Sequence, residues 1–388
     1  MSHALLSASG AHKWLNCTPS PRLEETIPEQ KSEYADEGNL AHDIGKLKLK
    51  KAFTEPMGPR TFNSRLKKFQ EDPLYQKEML DHTDTYLDYI SKIVHSFKQP
   101  PYIAIEKQVD YSAYVPEGFG TSDCIIIGGN ILHVIDLKYG KGVPVSAKEN
   151  DQMRLYALGA WLAYSFLYPI ELVSMSIVQP RLDDISEYTI PVQVLLDWAE
   201  SIKPKAQMAY EGKGEFVPGE HCRFCRARSL CRARSDFNLG LEEYKQLKPP
   251  IISNAEVGAI LLRAQQLAKW VADLESYALT ECLAGNEIPG WKAVEGRSVR
   301  QFTSQDQAFE VLKSNGVEDA MLYERKPITL ASIEKLLGKS KFTGLLSALV
   351  TTPPGKPALV VESDKREAIK RQSAADDFQN NEGRNDNE

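Results

Sequence analysis

The sequence predicts an α/β fold built around a group of antiparallel strands. Three successive segments between residues 102 and 139 are rich in Ile, Val and Tyr, as the strands of a half-buried sheet are. Segments with apolar residues at helical spacing precede and follow them. The chain has 388 residues, 42% of them hydrophobic, which is enough for one larger and one smaller domain.

Helices are predicted before the strands. Ser7 or Ser9 is a suitable N-cap for a first helix at residues 11–15, and a polar loop with prolines follows that helix. Periodic apolar residues then predict two more helices, at residues 38–50 and 73–98. The three strands are predicted at residues 102–111, 120–127 and 131–139.

Helices and strands alternate after the third strand. They are predicted at residues 151–167 (helix), 172–178 and 186–190 (strands) and 192–212 (helix). Beyond residue 231 the pattern changes to a long amphipathic helix at 255–285 and a mixed region of short strands and helices at 291–369. The polar tail at 370–388 is expected to be disordered.

Composition narrows the class of protein. A net charge of −6 means that any attraction to nucleic acid must come from local patches. No run of 18 apolar residues and no long apolar N-terminal stretch is found, so a cytosolic location without membrane partners is expected. Six cysteines, two of them in a C-x2-C pair, favour metal ligation in a reducing compartment. Cys124 and Cys282 lack motif partners and are expected to be small buried side chains.

The strands at 120–127 and 131–139 bring two carboxylates together. If Gly129-Asn130 is a two-residue hairpin loop, Asp123 lies directly opposite Asp136. Opposed side chains have Cβ atoms roughly 5 Å apart, which is close enough to share a divalent cation. Lys138 follows on the same face because side chains alternate along a strand. The three groups therefore converge only if the loop has this length.

Such a group suits metal-dependent hydrolysis. Paired carboxylates repel one another, and a divalent cation removes that repulsion, polarises a phosphoryl oxygen and acidifies a bound water. Lys138 could orient that water or stabilise charge on the phosphate. The alternative is a surface hairpin whose Asp and Lys side chains form an exposed ion pair, because Asp-x-Lys alone is common on strands.

Four cysteines form a second candidate site. Cys222-x2-Cys225-x5-Cys231 has metal-ligand spacing, and Cys17 or His221 could supply a fourth ligand. Thiolates suit zinc and iron–sulfur clusters alike, so ligand softness leaves both open. With either metal, the site would fasten the first helix to the end of the strand-rich region.

Together these motifs resemble the PD-(D/E)xK nuclease superfamily in its RecB-like branch. The residues that carry the resemblance are Gly120-Thr-Ser-Asp123, Asp136-Leu-Lys138-Tyr-Gly140, Gln152-x3-Tyr156 and, upstream, Gly38-x3-His42. The cysteine spacing resembles that of the iron–sulfur members, the AddB nuclease domain and the CRISPR-associated RecB-like exonucleases. The resemblance covers residues 5–235 and implies a restriction-endonuclease-like core, a mixed sheet flanked by helices, with a smaller α+β C-terminal region.

The resemblance and the sequence pattern beyond residue 235 together divide the chain into three regions, and the resemblance implies a role for each site residue. The regions are a nuclease domain with its cysteine cluster at 1–235, a C-terminal helical and mixed region at 236–369 and a disordered tail at 370–388. The implied catalytic residues are Asp123, Asp136, Lys138, Gln152 and Tyr156. The implied ligands of Mg²⁺ or Mn²⁺ are His42, Asp123, Asp136 and the Leu137 carbonyl. The implied ligands of a [4Fe-4S] cluster, with Zn²⁺ as the alternative, are Cys17, Cys222, Cys225 and Cys231.

Some of these residues also have a plain structural interpretation. His42 could be an ordinary helix-surface histidine, and Gln152 and Tyr156 could simply pack their helix. Glu106, on the preceding strand, could assist the site. If the resemblance holds, Gln152 and Tyr156 border the site and contact the DNA backbone.

The expected function is therefore a metal-dependent DNA nuclease, most simply an exonuclease. The whole chain resembles a family found in bacteriophages and prophages, which implies phage recombination or DNA processing in a bacterial host, beside a single-strand annealing or recombination protein. Two alternatives are a DNA-binding recombination accessory protein with little cleavage and a zinc-stabilised scaffold without a DNA role. Basic residues expected to provide a path for DNA are Arg223, Arg226, Arg228, Arg232, Arg234, Lys138, Lys141, Lys148 and Arg154.

Overall fold

The computed structural model describes residues 4–28, 33–142, 144–240 and 253–295, and separate stretches between 304 and 350. The chain divides into two compact units, Met1–Trp291 and Lys292–Glu388. The first unit extends past residue 235, where the predicted nuclease domain ends, and it includes the long helix that follows. The three functional regions named from the sequence stay predictions.

A five-stranded mixed sheet forms the centre of the first unit, as the α/β prediction requires. Its strands are β1 (Tyr102–Asp110), β2 (Phe119–Gly128), β3 (Ile131–Leu137), β4 (Leu172–Gln179) and β5 (Asp184–Pro191), in the order β1-β2-β3-β4-β5. Only the β3–β4 pair is parallel. A parallel pair needs a crossover, and the helix between β3 and β4 supplies it.

The β2–β3 hairpin has the predicted register. Gly128 pairs with Ile131 across the Gly129-Asn130 loop, and the ladder continues to Cys124 opposite Ile135. Gly129 has φ of 57°, the left-handed conformation that such a tight turn requires. The next position along this register places Asp123 opposite Asp136.

Ten helices of the described residues are labelled here. They are α1 (Ala11–Asn16), α2 (Ser20–Glu25), α3 (Glu33–Leu49), α4 (Pro59–Gln70), α5 (Glu78–Ser96), α6 (Asp151–Tyr164), α7 (Val192–Glu211), α8 (Arg232–Leu239), α9 (Asn254–Leu283) and α10 (Gln305–Ser314). A π-helical segment, Lys50–Thr54, continues α3. The helices predicted from apolar periodicity are confirmed, with ends shifted by up to five residues.

Two helices were missed, and one predicted cap is wrong. The sequence indicated a loop where α2 forms and no element where α4 forms, and both helices begin with a proline-containing turn. Proline is well tolerated in the first turn, where the missing N–H has no intrahelical partner. The N-cap of α1 is Gly10 rather than a serine, and the Ser7 hydroxyl instead accepts a hydrogen bond from the Gly10 N–H at 3.3 Å.

Apolar side chains cover both faces of the sheet. On one face Ile125, Ile127 and Val134 belong to a large buried cluster that includes residues of α1, α6 and α7. On the other face Ile126 and Ile135 pack with residues of α5 and the end of α3. The sheet is therefore enclosed between helical layers, and polar groups at its strand ends are drawn into a largely buried setting.

In the second unit, the described residues form short helices. They are α10, a 3₁₀ turn at Asp319–Leu322 and a helix at Lys339–Leu346. The predicted short strands do not occur in the described part of this unit, and the predicted tail at 370–388 lies outside the described residues. Along the described part of the chain, no helix combines the length and the apolar character that crossing a membrane would require.

Candidate functional site

Asp123 lies in the middle of β2 and Asp136 near the end of β3, and the hairpin register places the two opposite each other, as predicted. Asp123 Oδ2 accepts a hydrogen bond from the Leu137 N–H at 2.8 Å, which fixes the carboxylate across the strand pair. Asp136 is almost fully buried, with 2% of its surface exposed. The side chain of Leu137 packs on the opposite face of the sheet. Two carboxylates thus meet across the β2–β3 pair.

Lys138 and two residues of α6 complete one side of this site. Lys138 Nζ lies 3.0 Å from Asp136 Oδ2 and donates to Gln152 Oε1 at 3.1 Å. Gln152 Nε2 lies 3.4 Å from Asp136 Oδ1 and 3.2 Å from the Tyr156 hydroxyl. Gln152 and Tyr156 are one helical turn apart, so α6 presents both to the strand ends. The structure thus brings together all five residues named as catalytic.

His42 approaches from α3 on the other side. Its Nδ1 lies 3.3 Å from Asp123 Oδ2. Burial lowers the pKa of His42, but attraction to Asp123 and the hydrogen bond between them outweigh it and raise that pKa to about 9. Burial raises the pKa of the Asp123 carboxyl, but the same interactions with His42 outweigh burial and hold that pKa below its usual range. His42 is therefore paired with Asp123 at the candidate site rather than free on the surface of its helix.

Glu106 is the residue whose place the sequence indicated least clearly. It occupies the β1 position that the register sets opposite Asp123, between the pairs Ile105–Cys124 and Lys107–Ser122. Its φ is 52°, a conformation that costs of order 1 kcal/mol or more in a residue with a side chain and that often marks functional sites. Burial and then repulsion by Asp123 raise the pKa of Glu106.

A divalent cation fits this donor set. Ligand atoms of His42, Glu106 and Asp123 all lie within 4.8 Å of one another, the one such group of three among the described residues. Asp136 Oδ2 is buried without a well-aligned hydrogen bond, despite its proximity to Lys138. Burial and then repulsion by Asp123, opposed by Lys138, raise the pKa of Asp136. The site therefore has a surplus of carboxylate oxygens and an imidazole on one side, and an ammonium group on the other.

Gly120 of the Gly-Thr-Ser-Asp motif has a spatial role that explains its type. A Cβ at this position would lie 2.8 Å from Cε1 of Tyr156, closer than side chains tolerate. Gly38, in the Gly-x3-His motif, has open space around it within 4 Å. One motif glycine is thus required by packing against the site tyrosine, whereas the other is not required by packing.

Arg181 supports the site in a way that no sequence signal indicated. Its buried guanidinium pairs with Glu37 of α3 at 2.9 Å and with Glu78 of α5 at 3.4 Å. It also stacks over the Tyr139 ring, 4.8 Å from the centroid, directly after Lys138. The helix that carries His42 is thereby fastened to the segment that carries Lys138. Only the chain path brings these distant residues together.

The four predicted cluster cysteines line one cavity. Cys17 at the end of α1 is buried, as are Cys222 and Cys225, and Cys231 is half-buried. Burial, and then the charge of Glu24, raise the pKa of the Cys225 thiol to about 12. His221 also lines the cavity, but its Nε2 lies 2.7 Å from the Val217 carbonyl oxygen.

Charged side chains bind the cysteine segment to its surroundings. Asp273 of α9 pairs with Arg234 at 2.6 Å and with Arg228 at 3.0 Å. At the other side Glu24 of α2 accepts the Arg226 N–H at 2.7 Å. The cysteine segment is thus held between the N-terminal helices and α9.

This use of arginines alters the predicted DNA path. Arg234 is buried and Arg228 is half-buried, and both are committed to Asp273. Arg154 stacks on Trp198, 5.3 Å from the ring centroid. Exposed members of the predicted path are Arg223, Arg226, Arg232, Lys141 and Lys148. The predicted path is therefore only partly available at the surface.

Comparison with known proteins identifies a family and a weakly similar solved structure. A solved structure titled "Crystal structure of SSO0001" is 17% identical, and the match covers 56% of this chain and 94% of that one, with a TM-score of 0.23. That score is too low to support an argument about this protein. The family model described as "Protein of unknown function (DUF2800)" matches residues 3–367. Because this match spans most of the 388 residues, the chain belongs to the DUF2800 family.

Proposed function

We propose that this protein is a metal-dependent deoxyribonuclease. One observation carries the proposal: His42, Asp123, Asp136 and Lys138 meet beside the β2–β3 pair, with Gln152 next to them. An imidazole, carboxylates and a lysine in this arrangement suit hydrolysis of a phosphodiester bond. The restriction-endonuclease-like fold and the exonuclease activity belong to this proposal, through the motif resemblance.

Each side chain has a role that follows from its contacts. His42, Asp123, Asp136 and the Leu137 carbonyl would hold Mg²⁺ or Mn²⁺, with Glu106 as an additional oxygen donor. The bound cation would neutralise the carboxylates, polarise a phosphoryl oxygen and acidify a water. Burial lowers the pKa of Lys138, but the negative charges of Asp136 and Asp123 outweigh burial and raise that pKa. Lys138 therefore stays protonated and can stabilise charge that develops on the phosphate.

Gln152 and Tyr156 position the lysine and line the approach. Gln152 accepts from Lys138 and contacts Asp136, so it fixes the ammonium group relative to the carboxylate. Burial raises the pKa of Tyr156, which keeps its phenol neutral and able to donate a hydrogen bond to a phosphate oxygen. These residues would hold the scissile phosphate in line with the attacking water.

Nuclease activity on end-labelled linear and circular DNA with Mn²⁺ or Mg²⁺ tests the proposal. Asp136→Asn and Lys138→Ala are expected to lower the rate by about 10²-fold or more, because each removes a group that stabilises the transition state. Asp184→Asn, at an exposed position of β5, is the matched control and should retain activity. Degradation of linear DNA alone would assign exonuclease action.

The proposal fails if the wild type, carrying its cations, yields no products. Salt-dependent DNA binding without cleavage would then indicate an accessory protein of recombination. A folded protein with neither property would indicate a scaffold stabilised by its cysteine site. The place in phage recombination or DNA processing rests on the family resemblance and is part of the same proposal.

We also propose that Cys17, Cys222, Cys225 and Cys231 hold a [4Fe-4S] cluster with a structural role. Thiols from two distant segments lining one cavity are the supporting observation. Thiolates also suit Zn²⁺, so the choice of a cluster over the zinc alternative rests on the motif resemblance.

Metal analysis after anaerobic purification distinguishes these possibilities. Iron and sulfide with a visible absorbance band are expected in the wild type and lost in Cys17→Ser, with a lower thermal midpoint. Cys282→Ser is the control because Cys282 lies outside the cavity. Stoichiometric zinc without iron would overturn the cluster assignment.

A further inference from the structure

The segment from residue 44 to residue 70, here called the basic arm, concentrates positive charge in an acidic protein. It contains eight Lys and Arg residues and a single acidic residue, Glu55, whereas the whole chain has a net charge of −6. The arm comprises the second half of α3, the π-helical segment and α4. α4 itself has four basic residues and no acidic one. A surface of this kind attracts polyanions.

Most of this charge is not neutralised within the fold. Lys48 is buried and pairs with Asp84 at 2.6 Å, Lys50 pairs with Glu55 at 2.5 Å, and Arg65 lies 3.9 Å from the same Glu55 carboxylate. The remaining arm residues of α4 and the π-helical segment that carry positive charge are exposed: Lys51, Arg60, Arg65, Lys67 and Lys68. Their charges face solvent, where a bound phosphate could displace counterions.

The basic arm is continuous with the candidate site. Lys46 lies one helical turn beyond His42 on the same face of α3, so it extends the line from the site toward the rest of the arm. From His42 to Lys50 the helix advances about 12 Å, so the basic residues extend well beyond the length of a single phosphate group. A polyanion with one phosphate at the site would therefore continue over the arm.

A groove between the helices adds a feature suited to single strands. Its volume is about 400 Å³, and its lining includes Lys51, Phe62, Leu66 and Leu87. The Lys51 ammonium group lies 3.9 Å from the centroid of the Phe62 ring. Proteins bind unpaired nucleotides with this combination of groups. Cationic side chains contact the phosphates, and aromatic and apolar side chains pack against the bases.

We propose that the basic arm binds the backbone of a single-stranded nucleic-acid segment and leads it to the site at Asp123 and Asp136. This inference rests on the proposed nuclease function for the destination of the strand. It differs from the predicted arginine path of the cysteine segment, because two of those arginines are committed to Asp273.

Fluorescence anisotropy of the full-length protein tests the inference without cleavage. The probes are a labelled oligothymidylate and a duplex of equal length, titrated in EDTA at several salt concentrations. The variant Arg60→Gln/Lys67→Gln/Lys68→Gln removes three exposed charges from α4. The control Lys92→Gln/Lys98→Gln/Lys205→Gln removes three exposed charges elsewhere. Circular dichroism and thermal midpoints verify that both variants fold.

The arm variant is expected to bind the oligothymidylate about tenfold more weakly than the wild type. Its plot of log affinity against log salt should be less steep by about 2 to 3, because each lost phosphate contact removes roughly one ion. The control should bind as the wild type does, and the oligothymidylate should bind more tightly than the duplex. Unchanged affinity in the arm variant, or an equal loss in the control, overturns the inference.

The outcomes separate this inference from the proposed function. Cleavage that depends on Asp136 together with normal binding by the arm variant would leave the nuclease proposal standing and overturn the arm. If binding depends on the arm but no divalent cation supports cleavage, the arm inference stands and the nuclease proposal is overturned. In a third outcome, the arm variant loses binding to anionic lipid vesicles and binds the oligothymidylate as the wild type does. That result would assign the arm to another partner and overturn the inference.

Discussion

At the scale of single residues, the candidate site is defined by charges that are buried and yet closely paired. Asp136 and Lys138 lie 3.0 Å apart, and Asp123 and His42 lie 3.3 Å apart. Burial alone favours the neutral form of each of these groups. The carboxylates beside Lys138 and His42 raise the pKa values of both and so favour their protonated forms. Strong perturbations of this kind concentrate at functional sites.

Glu106 permits a test of the cation site that differs from removing a catalytic group. Glu106→Gln removes a charge and keeps the shape, so we expect the concentration of Mn²⁺ needed for half-maximal activity to rise about 10- to 100-fold. The maximal rate at saturating Mn²⁺ should fall much less. Glu71→Gln, at the exposed end of α4, is the control. An unchanged Mn²⁺ dependence would exclude Glu106 as a cation ligand.

The two motif glycines should respond in opposite directions to alanine. Gly120→Ala is expected to destabilise the fold by about 1–3 kcal/mol, because its Cβ would lie 2.8 Å from the Tyr156 ring. Gly38→Ala, inside α3 with open space around it, is expected to stabilise the fold by about 0.5–1 kcal/mol. Urea denaturation measures both. If Gly120→Ala matches the wild type, the ring moves freely and the close contact is unimportant.

At the scale of elements, α9 is an integral part of the first unit. Its residues Gln266 and Lys269 contact Glu220, and Asp273 contacts Arg228 and Arg234, so one face of the helix meets the cysteine segment. Trp270 on the same face is buried. A helix this long, held by side chains at helical spacing, behaves as a brace on the segment beneath it.

Loss of the α9 contact should therefore be costly. Asp273→Asn leaves the buried Arg234 without its counter-charge, and we expect a destabilisation of about 3 kcal/mol, measured by chemical denaturation. Release of metal from the cysteine site should also become faster, because the ligands lie on the braced segment. Glu275→Gln, exposed on the same helix, should change neither quantity. Equal stabilities for both variants would show that α9 does not brace the cysteines.

At the scale of the whole molecule, the division at Trp291 differs in position from the functional boundary that the motifs suggested at residue 235. A chain of residues 1–291 contains the sheet, both candidate sites and α9. A chain of residues 1–235 lacks Asp273 and would expose Arg234 and the apolar surface that Trp270 covers. The stable fragment should be the longer one, because a domain needs its whole core.

Expression of these two fragments tests this expectation. Residues 1–291 should unfold cooperatively and retain the proposed metal of the cysteine site and the proposed nuclease activity. Residues 1–235 should be less stable by several kcal/mol or aggregate, because an uncompensated buried charge and an exposed apolar patch are both unfavourable. Equal thermal midpoints for the two fragments would return the boundary to residue 235.

Much of the fold and site could be predicted from the sequence because the signals are local. Strand alternation and a two-residue loop set the register that places Asp123 opposite Asp136, and helical spacing pairs Gln152 with Tyr156. Repeated apolar positions predicted the main helices. The helices α2 and α4 were missed because a proline at a helix start and a proline in a loop look alike in one sequence.

The sequence by itself thus determined the strand register, the main helices and which chemical groups belong together. Only the tertiary structure decided that Glu106 lies opposite Asp123 and that Arg181 connects α3 to the segment after β3. It also decided that Arg228 and Arg234 form ion pairs with Asp273. The reason is physical: periodicity and turn geometry act over a few residues. Ion pairs between distant segments depend on the path of the chain, which no short-range pattern records.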